Sequence, residues 1–222
     1  MNFQSRFDDR RDAGRRLAEA LSEYGVVDPI VLALPRGGVP VAYEVAIRMD
    51  APMEVLVARK VGAPGHAEFG IGAIAEGGVR VADRATLRML HISDDQFDAL
   101  ADAEQPELER RVTAYRADRA FPSAGGRDVV VVDDGLATGV TAEAALLSAQ
   151  RLQPRRVVLG VPVCAPDTAR RLEAVANAVV CVLQPADFRA VGRWYRTFDQ
   201  TTDAEVVELL DRARSRRTES RR

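Results

Sequence analysis

Lysine is almost absent from this chain. Of 31 basic residues, 30 are arginine, and the single lysine is Lys60. A GC-rich genome yields such a bias wherever either cation serves, so the lysine that remains is a mild indication that a compact ammonium is needed there. Histidine is scarce as well. His66 and His91 alone argue against a histidine-rich metal site and against a Ser-His-Asp hydrolase. The two cysteines, Cys164 and Cys181, lie apart in sequence in apolar, strand-like runs. They are expected as buried reduced thiols rather than as a disulfide or metal ligands. Long hydrophobic runs are missing too. The longest, Val157 to Ala165, is far shorter than the roughly 20 residues a bilayer-spanning helix needs. The first residues, Met-Asn-Phe-Gln-Ser-Arg-Phe-Asp, lack the apolar core of a signal peptide, so the expected location is the cytoplasm. A net charge of −2 gives no electrostatic case for nucleic acid.

What is present is an ordinary globular balance. The chain has 222 residues, 47% apolar and 29% charged, enough for one large domain with a small appendage. Apolar runs alternate with helical periodicity. Asp9 to Tyr24 places Ala13, Leu17, Ala20 and Tyr24 on one helical face. Strands are predicted at Ile30 to Leu34, Met53 to Ala58, Val129 to Val132, Val157 to Val163 and Ala178 to Leu183. Helices are predicted after Gly38, from Asp83 to His91, from Ser93 to about Asp118, after Thr141 and after Pro166. Ser93 and Gln96 form a capping box, as do Thr202 and Glu205 ahead of a last helix that turns Val206, Leu210 and Ala213 inward. Pro106 is expected to break or kink its helix. The Gly- and Ala-rich segment Val61 to Gly78 reads as a mobile loop or hairpin. The tail from Arg212 holds six arginines and is expected to fray, with a nucleic-acid arm the lesser alternative. Five strand–helix alternations predict an α/β fold: a five-stranded parallel doubly wound sheet flanked by helices.

Ligands of such sheets bind at the carboxyl ends of the strands. The richest strand end is Val129 to Thr141, Val-Val-Val-Val-Asp-Asp-Gly-Leu-Ala-Thr-Gly-Val-Thr. The adjacent carboxylates Asp133 and Asp134 point to opposite sides and suit a metal ion or sugar hydroxyls. The turn Gly135 to Thr141 offers backbone N–H groups, two hydroxyls and a helix N-terminus, which together make a phosphate cradle. Acids for hydroxyls beside a cradle for a phosphate describe a sugar phosphate. Rival motifs fail on spacing. A nucleotide P-loop needs a lysine after its second glycine, and a dinucleotide fingerprint needs Gly-x-Gly-x-x-Gly.

The stretch Val129 to Thr141 resembles the phosphoribosyl-pyrophosphate (PRPP) motif of the type I phosphoribosyltransferases. Leu34-Pro-Arg-Gly-Gly-Val-Pro resembles their pyrophosphate loop, and the likeness extends from about Leu17 to Leu210. Ala58-Arg-Lys-Val-Gly-Ala-Pro-Gly, with Glu68 to Ala75, resembles a less characterised bacterial branch of that family. The resemblance implies a single domain over residues 1–214, with a core at about 25–184. It adds a flexible loop at about 61–80, a small hood from the N-terminal and 184–214 segments, and a disordered tail at 215–222.

The resemblance also implies roles. Asp133 and Asp134 hold the ribose hydroxyls directly or through Mg²⁺. Ala137, Thr138, Gly139, Val140 and Thr141 wrap the 5-phosphate. Arg36 and Gly37 bind pyrophosphate, at a peptide often cis without proline, and Lys60 and Arg59 neutralise it. Asp133, Asp134, Lys60 and Arg36 would then carry the catalysis. In the 6-oxopurine members an aspartate stands at the place of Ala137 and serves as general base. Ala137 argues against hypoxanthine or guanine here without naming the acceptor.

Phe188, Trp194, Tyr195 and Phe198 crowd the loop after the fifth strand, where an acceptor base is expected to stack. For the first three this is the acceptor-site expectation, and hood packing is the alternative for each ring. The implied activity is Mg²⁺-dependent transfer from PRPP to a nitrogenous acceptor, releasing pyrophosphate. Neither membrane nor nucleic acid is expected as a partner, and a homodimer is expected from the family. A catalytically silent PRPP sensor is the alternative, and hydrolysis or phosphorolysis of a nucleotide-like substrate is a third reading.

Overall fold

The structure, a computed structural model, describes residues 6–117 and 119–220. Five parallel strands lie side by side in the order β2 (Met53–Val55), β1 (Ile30–Ala33), β6 (Asp128–Val132), β7 (Arg156–Val163) and β8 (Ala178–Leu183). Every residue of β1 and β6 is buried, so both strands are covered on both faces. Side chains alternate between the faces. Val31, Val130 and Val158 pack with Leu17 of α1 (Arg10–Tyr24), Val45 of α2 (Gly38–Arg48) and Leu210 of α7 (Asp203–Ser220). Ile30, Val129, Val131 and Leu159 pack on the other face with Leu146 of α5 (Val140–Gln150) and Leu172 of α6 (Pro166–Leu172). Each fully buried Leu, Ile or Val contributes roughly 1.5–3 kcal/mol, so the two faces hold the sheet rigidly between them.

This order creates a topological switch point. Strand β1 pairs with β6 in register from Ile30↔Val129 to Ala33↔Val132, and their ends coincide. The chain then leaves β1 toward α2 on one face and β6 toward α5 on the other. A crevice at such a point is where open α/β sheets bind ligands.

Helix boundaries follow the sequence closely. Asp9 caps α1, its Oδ1 accepting from Asp12 N at 2.8 Å, and Gly25 ends the helix at φ +80°. Asp83 caps α3 (Arg84–Met89), and Ser93 and Gln96 form the capping box of α4 (Asp94–Arg116). The hydroxyl of Thr202 accepts from Glu205 N at the start of α7.

Several expectations need correction. The predicted strand Met53 to Ala58 is two: β2 ends at Val55, and buried Leu56 and Val57 lead into β3 (Ala58–Ala63). Of the two alternatives for Val61 to Gly78, a mobile loop or a hairpin, the segment is a hairpin and mostly strand. Strands β3, β4 (His66–Ala75) and β5 (Val79–Ala82) form a separate antiparallel sheet. Its glycines serve contact as well as flexibility, since a Cβ on Gly72 would lie 2.4 Å from both Phe97 Cε2 and Val81 O. A buried ion pair pins its far end. Arg116 Nη1 donates to Glu76 Oε1 at 3.2 Å, Val57 N donates to the same oxygen at 2.8 Å, and Ser148 Oγ donates to Glu76 O at 2.7 Å.

Helix α4 continues through Pro106. Both Pro106 and Asp102, whose carbonyl loses its helical donor, are exposed, so water can satisfy that carbonyl. The predicted end near Asp118 falls on a residue outside those described. The arginine-rich tail is helical through Ser220, and at its start Arg212 pairs with Glu208 and Arg214 with Asp211 and buried Glu54. Residues 221 and 222 lie outside the described residues. Cys164 and Cys181, far apart in sequence, are neighbours at the ends of β7 and β8, both free, with Sγ atoms 2.7 Å apart. No helix among the described residues is long and apolar enough to cross a membrane.

Candidate active site at the switch point

The two loops that leave β1 and β6 meet in van der Waals contact. A Cβ on Gly37 would sit 2.1 Å from Asp134 Oδ2. One on Gly38 would sit 2.6 Å from Val132 O and 3.3 Å from Asp133 Oδ1. Only glycine lets the backbone come this near the acids. Gly37 was expected at the site from the motif; Gly38 is added by this contact. The peptide joining Pro35 to Arg36 is cis, as the family resemblance implies.

The two acids are unequally supplied with donors. Asp133 Oδ1 accepts from Asp134 N at 2.8 Å. Burial pushes the Asp133 carboxyl well above the usual carboxylate range, and the neighbouring Asp134 charge adds to the rise. Burial also pushes Asp134 up, opposed by Arg10. Arg10 Nε and Nη2 lie 2.9 and 2.8 Å from Asp134 Oδ2. The same guanidinium donates to Asp199 O at 2.5 Å and covers the Phe198 ring at 3.9 Å. Sequence reading missed Arg10, because it belongs to no motif and the fold of α1 brings it there.

The turn after the acids is stitched to β7. Leu136 N donates to Val163 O at 2.9 Å, and Ala165 N donates to Leu136 O at 3.2 Å. Gly139 adopts φ +72° and opens α5, so the helix N-terminus faces the turn. Ala137, Thr138, Gly139, Val140 and Thr141 are thus held together at the end of β6.

The basic residues are less convergent. Arg36 Nη1 lies 3.6 Å from Asp203 Oδ1, and that oxygen also accepts from Tyr115 OH at 2.6 Å. Arg59 turns toward α4, with Nε 2.9 Å from Glu104 Oε2 and Nη1 3.5 Å from Glu107 Oε1. Hydrogen bonds from Arg110 and Arg111 hold Glu107 down at about 2, so it is ionised to meet Arg59. Lys60 lies on β3 in the second sheet. Its Nζ donates to Glu68 O at 2.8 Å and lies 3.2 Å from Glu68 Oε2. In this structure both Arg59 and Lys60 are engaged by local acids rather than by the strand-end pair.

The aromatic cluster forms the hood. Tyr195 is 4% exposed and stands between Phe7 and Phe198, with ring centroids 5.3 and 4.9 Å away. It has no open face for stacking. Its hydroxyl instead donates to Asp134 O at 2.6 Å, which makes it a support for the acidic pair. Phe188 and Trp194 are half-buried and pack against the same group. The Trp194 indole N–H is buried without a partner among the described residues.

No cluster of three or more His, Cys, Asp or Glu side chains suited to a metal ion occurs among the described residues. A pair of carboxylates fits a hard cation such as Mg²⁺, which takes one or two carboxylates and completes its shell with substrate oxygens and water.

Residues 5–192 match the phosphoribosyl transferase domain family. The chain is 47% identical over 207 residues to a Mycobacterium tuberculosis protein provisionally named a phosphoribosyl transferase, in two strains, covering 93% of this chain. It spans about half the length (47%) of those curated relatives. The crystal structure of the Thermus thermophilus protein TT1426 superposes with a TM-score of 0.78 at 47% identity, covering 92% of this chain and 97% of that one.

Proposed function

This chain belongs to the phosphoribosyl transferase family, and from that premise we propose that it moves the 5-phosphoribosyl group of PRPP to a nitrogenous, base-like acceptor and releases pyrophosphate. The observation that carries the proposal is the contact of the Gly37–Gly38 backbone with the Asp133–Asp134 carboxylates. It supports the reading by bringing the loop after β1 against the acids that lead into the 137–141 turn, the order in which PRPP presents pyrophosphate, ribose hydroxyls and 5-phosphate.

Breaking the anomeric bond builds positive charge on the ribose and negative charge on the leaving pyrophosphate. Asp133 and Asp134 bind the ribose hydroxyls and face the developing cation. The backbone N–H groups of residues 137–141 anchor the 5-phosphate, and Arg36 with the Gly37 amide receives the pyrophosphate. Mg²⁺ would be held by Asp133 and Asp134 together with substrate oxygens, and when bound it neutralises charge on the leaving group. Lys60 joins the pyrophosphate by exchanging its Glu68 partner for the substrate. The β3–β4 hairpin that carries it acts as a cover that excludes water from the reacting carbon. Ala137 places no carboxylate beside the acceptor, so the acceptor is one that needs no acid side chain at that position.

The test is pyrophosphate release from PRPP and Mg²⁺ across a panel of purines, pyrimidines and amines. Release with one acceptor class supports the proposal. PRPP binding with no release for any acceptor replaces it with a sensor. One observation favours that second reading, namely that Arg59 and Lys60 are held by Glu104, Glu107 and Glu68.

A further inference from the structure

The family motif ends at Thr141, but the turn it describes leans on a helix outside it. Helix α6 packs so closely against the turn that a Cβ on Gly139 would lie 2.6 Å from Thr168 Cγ2 and 3.1 Å from Leu172 Cδ1. Two side chains of α6 then reach the turn. Thr168 Oγ1 donates to Ala137 O at 2.6 Å, and Arg171 Nη2 donates to Thr138 O at 2.6 Å. Thr168 is 8% exposed, so its hydroxyl is committed to that carbonyl. Arg171 also pairs with Glu143 in the first turn of α5, which ties α6, the turn and the helix start into one unit.

Peptide geometry converts these contacts into a direction. Within a trans peptide unit the C=O of one residue and the N–H of the next point opposite ways. Among the described residues the Pro35–Arg36 bond is the only cis one, so the units at 137–138 and 138–139 are trans. Carbonyls 137 and 138 are pinned toward α6, so the N–H groups of Thr138 and Gly139 point away from it. Neither N–H donates to another group among the described residues.

We propose that Thr168 and Arg171 are positioning residues for the 5-phosphate. By holding the Ala137 and Thr138 carbonyls back, they aim the Thr138 and Gly139 N–H groups at the phosphate before it arrives. The inference rests on the PRPP reading above and extends it to residues that touch neither substrate. Preorganised donors bind an anion without first giving up other partners, so the effect belongs to binding and not to the chemical step.

The test titrates ribose 5-phosphate, PRPP with Mg²⁺, and pyrophosphate with Mg²⁺ into the wild type and into Thr168→Val, Thr168→Ser and Arg171→Met. Valine matches threonine in shape, and Arg171 is nearly half exposed, so one variant leaves packing intact and the other lies toward the surface. A net hydrogen bond is worth about 1 kcal/mol. Thr168→Val and Arg171→Met should therefore each weaken ribose 5-phosphate and PRPP about 5- to 10-fold and leave pyrophosphate unchanged. Thr168→Ser should restore wild-type affinity, and the KM for PRPP should rise while kcat holds. Unchanged ribose 5-phosphate affinity in both variants, or an equal loss for pyrophosphate, overturns the inference and leaves the PRPP reading standing. A wild type that binds neither ribose 5-phosphate nor PRPP overturns that reading and the inference with it.

Discussion

Strand β6 opens on one aspartate, buried Asp128, and leads out to another, half-buried Asp133, and the two have opposite fates. At the amino end, Asp128 accepts from Val27 N at 3.0 Å, Arg155 Nε at 2.8 Å and Arg156 Nη2 at 2.6 Å. Burial alone would raise its pKa, but Arg156, the Val27 N–H and Arg155 outweigh burial and hold it at about 2. At the carboxyl end, Asp133 has one backbone donor, and burial with the Asp134 charge pushes it up. The strand between them is the same run of valines. A buried carboxylate with its lone pairs satisfied is part of the scaffold, and one left short of donors is poised for a ligand. The contrast separates structure from function within six residues of sequence.

The comparison can be broken at either end. The largest effect is expected from Gly37→Val, which drives a branched side chain into Asp134. PRPP affinity should fall at least about 100-fold, the equivalent of some 3 kcal/mol, with the fold retained by circular dichroism. Affinity within twofold of wild type would show that the glycine contact does not shape the site. Asp128→Ala should do the reverse. It removes the partner of the Val27 N–H and of two partly exposed arginines, so unfolding free energy should drop by about 1–3 kcal/mol in urea titrations, while PRPP affinity of the folded fraction stays unchanged.

Acid sharpens the same contrast. The folded pKa of Asp128 lies below its unfolded value, so its contribution is fully present above about pH 4 and is lost as pH falls toward its folded pKa of about 2. Acid unfolding of the wild type should steepen in that window, and Asp128→Asn should flatten it. An unchanged acid profile would contradict the assigned role. The smallest effect belongs to Lys60. Its partner Glu68 is fully solvent-exposed, where an ion pair adds little to stability, so Lys60→Gln should leave the melting temperature within about a degree of wild type. If Lys60 is recruited to pyrophosphate, the same variant should weaken pyrophosphate binding by about 3- to 10-fold. No change would confine Lys60 to its hairpin.

The scaffold was largely legible from sequence because its rules are local. Asp9, Asp83 and Ser93 cap the helices they precede, and the valine runs form the buried strands. The motif at Val129 to Thr141 marked the candidate site because strand, acids and turn are contiguous. What escaped detection depends on contacts between distant segments. Arg10 reaches Asp134 across 124 residues, and Thr168 and Arg171 reach the turn from a helix with no motif of its own. Tyr195 looked like a stacking ring, but burial beside Phe7 turns its hydroxyl to the Asp134 carbonyl. The second sheet hid behind its glycines, because composition alone does not distinguish a glycine kept for flexibility from one that admits Phe97.

The central claim is that the acids at the end of β6 hold the ribose of PRPP. Its most direct test is calorimetric titration of PRPP with Mg²⁺ into the wild type and into the double variant Asp133→Asn with Asp134→Asn. The account predicts one saturable site in the wild type and none in the folded double variant. Equal binding by the two proteins would contradict it.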